Sequence, residues 1–116
     1  YTLSLHDALP ICNPARDRYE ALGLRKLLGS SADSVPVTAI KSYIGSSGSG
    51  SSLVELAASL LSLRDGTIAP TLNYSSADEV APLNVVHGSF AKAASGLFLK
   101  TSVTRMGQAS AVVVRV

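Results

Sequence analysis

Apolar and polar residues follow two different periods along the chain, and each period predicts a different kind of element. Ala21, Leu24, Leu27 and Leu28 recur three and four residues apart, the spacing of one helix face. Asn13-Pro14 offers a cap followed by proline in the first turn, and Gly29 closes the run. Val35-Pro-Val-Thr-Ala-Ile40 is short and β-branched, with Pro36 near its start where a missing N–H is tolerated, and it predicts a strand. Gly45 to Ser52 holds only glycine and serine. Behind it, Leu53, Leu56, Ala57, Leu60 and Leu61 predict the apolar face of a second helix ending near Asp65-Gly66. Ser52 and Glu55 have the spacing of a capping box at its start. A loop punctuated by Pro70 and Pro82 leads to three segments of strand composition, Leu83 to His87, Leu97 to Thr104 and Ser110 to Val116. The last two form a hairpin turning near Gly107, and no internal repeat is visible. The predicted class is α/β: helix, strand, Gly/Ser loop, helix, then mainly antiparallel strands.

Composition narrows the picture. The 116 residues are 47% hydrophobic and 16% charged, which suits one small domain or part of a larger one and argues against general disorder. The longest strong apolar run, Ala111 to Val114, falls far short of the roughly 18 residues that cross a bilayer, so no membrane span is expected. Ten Lys and Arg are dispersed against eight Asp and Glu, leaving a net charge of +2 and no basic patch, so nucleic acid is not an expected partner. The single cysteine, Cys12, excludes an internal disulfide and a thiolate metal cluster, and it lacks the small-residue turn that exposes a reactive thiol. Residues Tyr1 to Ile11 resemble translated sequencing-adapter read-through, and no basic stretch precedes their apolar residues as in a secretory signal. Residues 1–12 are therefore expected to be a leader outside the fold, and 13–116 the domain.

The Gly/Ser run reads in two ways. It is a flexible linker, or a tight loop presenting N–H groups at a helix start; the unbroken passage from strand to capped helix favours the loop. It is not a P-loop, because no Gly-Lys-Ser/Thr follows the glycines. Lys41-Ser42-Tyr43-Ile44-Gly45-Ser46, followed by small residues and Val54-Glu55, resembles the Lys-Ser-x-x-Gly-His segment of the β-ketoacyl-acyl-carrier-protein synthases. Downstream, Gly66-Thr67-Ile68-Ala69-Pro70-Thr71-Leu72-Asn73 is similar to that family's Gly-x-x-Pro-Pro-Thr-x-Asn turn. Upstream, Asp17 and Glu20-Ala21 resemble its Asp-x-x-Glu-Ala helix. The three matches stand in family order, and the resemblance covers about Ala15 to Val116. It implies a partial ketosynthase C-terminal domain, the last part of a thiolase-like fold, with the first three quarters of a synthase missing.

The resemblance also implies a chemistry. Members of that family are acyltransferases of fatty-acid or polyketide synthesis that perform decarboxylative Claisen condensation. A cysteine thiolate takes the acyl group, and two histidines help to decarboxylate the malonyl group and stabilise the oxyanions. Substrates ride on the phosphopantetheine of acyl carrier protein, with no other cofactor and no metal, and the synthases are cytoplasmic homodimers or heterodimers. Ser46 stands at the second histidine. Thr104-Arg105-Met106-Gly107 stands at the family's Gly-Phe-Gly-Gly gating loop, so that Arg105 replaces the phenylalanine and Gly107 keeps one glycine. Lys41 reads either as a solvated strand-end charge or as part of the hydrogen-bonding network of the active site. Glu55 reads as a helix-start cap, His87 has no second histidine nearby for a metal or a dyad, and Tyr19, Tyr43 and Tyr74 read as packing residues. The chain alone is expected to be inactive for want of a nucleophile segment. Two other readings are a non-catalytic subunit of the chain-length-factor type and a free-standing interaction module.

Overall fold

The computed structural model describes Thr2–Ser4, residues 14–104 and residues 106–116. Helix α1 spans Pro14–Leu28, with Asp17 in its first turn and Arg25 and Lys26 in its last, both favourable to the helix dipole. Gly29 follows at φ +54°, a left-handed value that ends the helix. Ala21 and Leu24 are buried and Leu28 is half-buried, as the spacing predicts, whereas Leu27 is exposed. Strand β2, Val37–Thr38, is shorter than predicted, because the backbone turns helical at Ile40 to begin α2, Lys41–Ile44. Helix α3 spans Ser51–Arg64, and Gly66 at φ +69° closes it.

The larger sheet has the order β2-β1-β5-β6, with β1 at Thr2–Ser4, β5 at Leu97–Val103 and β6 at Ala109–Arg115. Strand β1 runs parallel to both β2 and β5, and β5 pairs antiparallel with β6 from Leu97 opposite Arg115 to Val103 opposite Ala109. The C-terminal hairpin is therefore where the sequence puts it. The expectation that residues 1–12 lie outside the fold does not hold for Thr2–Ser4, which occupy the middle of the sheet. A gap between β2 and β5 would leave two rows of backbone N–H and C=O groups unpaired, and a short extended segment satisfies both. The rest of that leader, with Cys12 and the Asn13 cap, lies outside the described residues.

Helices cover both faces of this sheet. Phe98 and Leu99 are consecutive in a strand and point to opposite faces. Leu99 packs with Leu24 and Leu28 of α1 and with Val37, while Phe98 packs with Leu56, Leu60 and Leu63 of α3 and with Ile68. The predicted strand Leu83 to His87 is an extended segment instead, held by single bridges from Val85 to Val37 and from His87 to Thr71. A second, two-stranded sheet that the sequence does not announce pairs β3, Thr67–Ile68, antiparallel with β4, Ala91–Lys92. Among the described residues, no helix is long and apolar enough to cross a membrane.

Candidate functional site

Residues 38–46 and 69–73 are stitched together by side-chain hydroxyls. Thr38 Oγ1 donates to the Ala69 carbonyl at 2.6 Å, and the Ala39 N–H donates to Thr71 Oγ1 at 3.0 Å. Ser42 Oγ donates to the Ala39 carbonyl at 2.7 Å and accepts the Leu72 N–H at 2.9 Å. Tyr43, whose hydroxyl donates to the Pro70 carbonyl at 2.6 Å, has a phenol pKa raised by burial. Asn73 completes the turn at φ +57°, a conformation that asparagine tolerates better than most residues. The two motifs, separate in sequence, are one structural unit.

Within this unit the candidate residues separate. Lys41 opens α2 with only 6% of its surface exposed, which contradicts a solvated strand-end charge. Ser46, five residues on, is exposed. Between them Gly45 takes φ +67° and ψ −160°, a combination that only glycine adopts without strain, so the chain swings out of α2 at that point. The loop then folds back: Ser47 donates its N–H to Ser51 Oγ at 2.8 Å, and Ser51 is fully buried. The Gly/Ser run is thus a compact loop inside one domain, not a linker.

The capping box does not form. Gly50 is the N-cap of α3, without a side-chain cap, and both predicted partners are engaged elsewhere. Ser52 Oγ meets Ser102 Oγ at 2.9 Å, and Glu55, fully buried, pairs with Lys100 Nζ at 2.8 Å. The predicted apolar face of α3 holds only in part, with Leu56 and Leu60 half-buried against the Phe98 cluster. The buried stripe is Ser51, Glu55, Ser59 and Leu63, while Leu53, Ala57 and Leu61 look outward. The cause lies on β5, where Phe98, Lys100 and Ser102 share the face toward α3 and offer polar partners at two of three positions. Lys100 carries no sequence motif of its own. The signal that points to it is the serine–glutamate–serine repeat at a spacing of four, facing an alternating strand.

The hairpin turn lies at the same end of the sheet, since the Ser52–Ser102 contact brings the start of α3 beside the end of β5. Thr104 donates its N–H to the Gln108 carbonyl at 2.8 Å, and Gly107 at φ +83° donates its N–H to the Thr104 carbonyl at 3.0 Å. Arg105 lies outside the described residues. His87 is exposed, its ring 5.1 Å from that of Tyr74, whose phenol pKa is also raised by burial. Tyr19 is exposed, not packed. Among the described residues, no group of three His, Cys, Asp or Glu is placed to hold a metal ion.

Residues 10–75, which include both stitched motifs, match the model of the beta-ketoacyl synthase C-terminal domain. The chain belongs to the β-ketoacyl synthase family. The tetracenomycin polyketide synthase ketoacyl synthase alpha subunit of Streptomyces glaucescens is 41% identical over 70 residues, which are 60% of this chain and 16% of that protein. The chain thus spans less than a fifth of that synthase. A solved type II polyketide synthase acyl-carrier protein in complex with its ketosynthase has the same fold, with a TM-score of 0.88 at 24% identity over 98% of this chain and 27% of that one. The ishigamide ketosynthase/chain length factor matches equally broadly, with a TM-score of 0.86 at 24% identity. The thiolase-like architecture expected of the resemblance is therefore the observed one, and the hairpin beyond residue 75 is part of it.

Proposed function

We propose that this chain is the C-terminal part of a β-ketoacyl synthase subunit that serves decarboxylative condensation in fatty-acid or polyketide synthesis. The observation that carries the reading is the hydroxyl stitching of residues 38–46 to 69–73, which joins the two ketosynthase motifs just before Gly45 in its glycine-only conformation. On this reading the substrates are thioesters on acyl carrier protein, needing no cofactor beyond its phosphopantetheine. The subunit works in the cytoplasm as a homodimer or with a related partner. The rest of the synthase covers the outward stripe of α3 and supplies the nucleophile.

Ser46 is the residue that departs. A serine hydroxyl donates one hydrogen bond but cannot offer an imidazole that titrates near neutral pH. Removing one oxyanion donor lowers such rates by about 100- to 1,000-fold. Lys41, buried one helical turn before Ser46, belongs to the network behind the site, and Gly107 belongs to the turn that gates the acyl group. The serine also favours a second reading, a non-catalytic subunit that shapes the acyl pocket of a partner.

A chimera tests both. Residues 14–75 replace the matching segment of the Streptomyces glaucescens subunit, and condensation of malonyl-carrier protein is followed with Ser46 and with Ser46→His. Folded chimeras should differ by about 100-fold or more in favour of histidine. Equal rates would remove Ser46 from the reacting site. Two inert chimeras would favour the pocket-shaping reading. The 116-residue chain itself, mixed with acyl- and malonyl-carrier protein, should give no condensation product.

A further inference from the structure

The Lys100–Glu55 pair is buried on both sides, with side-chain exposures of 6% and 0%. Removing two charges from water costs several kcal/mol each, and apolar residues of similar volume often serve stability as well or better. Stability therefore does not explain the pair. Its place in the fold does. Glu55 sits one turn into α3, just behind the Gly45–Ser52 loop, and Lys100 is the central residue of β5, with Ser102 between it and the 104–107 turn. Apolar contacts alone, such as Leu63 on Phe98, would let the helix slide along the strand, since they have no direction. An ion pair at 2.8 Å, backed by the Ser52–Ser102 contact one turn earlier, fixes that register. Lys100 Nζ also donates to the Thr101 carbonyl at 2.8 Å. On the opposite face, Thr101 Oγ1 donates to Glu20 of α1 at 3.1 Å, so the middle of the strand is held from both sides.

We propose that Lys100 is a positioning residue, whose buried pair with Glu55 fixes the loop carrying Ser46 relative to the turn carrying Gly107. The inference rests on the ketosynthase reading for its catalytic meaning, but its test needs no substrate. Amide exchange of the 116-residue chain is compared with Lys100→Met and with the double variant Lys100→Met/Glu55→Gln, which removes both charges of the pair. The reporting amides are Ser47, Thr104, Gly107 and Gln108, each hydrogen-bonded within the loop or the turn. In both variants they should exchange roughly tenfold faster or more, while amides of α1 keep their rates. Should Lys100→Met fail to fold, the double variant carries the comparison alone. Unchanged reporting amides in the double variant, or one common factor for every amide, would overturn the positioning role. Those outcomes leave the condensation reading standing, whereas a pair of inert chimeras leaves the clamp standing.

Discussion

Gly45 and Gly23 make opposite demands on their backbones, although a Cβ added at either would meet nothing within 4 Å. Space is therefore not what decides a substitution. At Gly45, φ +67° with ψ −160° is closed to alanine, and Gly45→Ala should cost roughly 1–3 kcal/mol and disturb Ser46 first. Gly23 lies within α1, and Gly23→Ala should add about 0.5–1 kcal/mol through helix propensity. Urea midpoints of the two variants, moving in opposite directions, check this. Asp78 gives a pH dependence of known sign. The Val80 N–H at 2.8 Å, the Ala81 N–H and the Arg18 guanidinium hold its carboxyl below the ordinary carboxylate range. A group whose folded pKa is lowered contributes stability above its unfolded value and loses it as pH falls through the folded value. Asp78→Asn should flatten that acid limb, as read by denaturation at stepped pH, and leave stability near neutrality less dependent on acidification. Of these residues only Gly45 stands out in the sequence, because it sits inside a motif. The Val80 and Ala81 contacts of Asp78 are local, but its ion pair with Arg18 reaches sixty positions away.

Helix α3 separates what a period can reveal from what it cannot. Its position, length and ends are legible in the spacing of leucines and in Gly66, yet its orientation about its own axis is not. Two stripes share the helical period, one of leucine and alanine and one of serine and glutamate, and periodicity alone selects the apolar one for burial. The strand beneath rotates the helix so that the polar stripe is buried with Leu56 and Leu60 at its flank, because Lys100 and Ser102 give that stripe partners. Truncation separates the two orientations. Leu63→Ala, at a buried site against Phe98, should cost about 2–5 kcal/mol, whereas Leu53→Gln and Leu61→Gln should each stay within about 0.5 kcal/mol. Thermal unfolding of the three variants settles which face is inside. The strands follow the same logic. The β5–β6 hairpin is local and was readable from composition, while β3 and β4 are two residues each and pair only through the tertiary fold.

At the scale of the molecule, the class and the order of elements were legible because each helix and the hairpin carry their own periods. The strand order was not, since β1 enters between β2 and β5 by pairings that no local pattern encodes. The outward leucines of α3, with Val112 and Val113 of β6 also exposed, give the chain apolar surface on more than one side. The isolated chain should therefore self-associate, and Leu53→Gln with Leu61→Gln should lower its apparent mass in light scattering at equal concentration. The parallel middle strand has a kinetic consequence. Thr2 must find Phe98, whereas the hairpin closes across a short turn. Loop-closure entropy makes such distant contacts late and slow. On a ribosome β1 can pair with β2 once residues 37 and 38 have emerged, whereas β5 begins only at Leu97, so the other edge of β1 waits for the hairpin. The order of synthesis thus leaves the seam between β1 and the hairpin to close last.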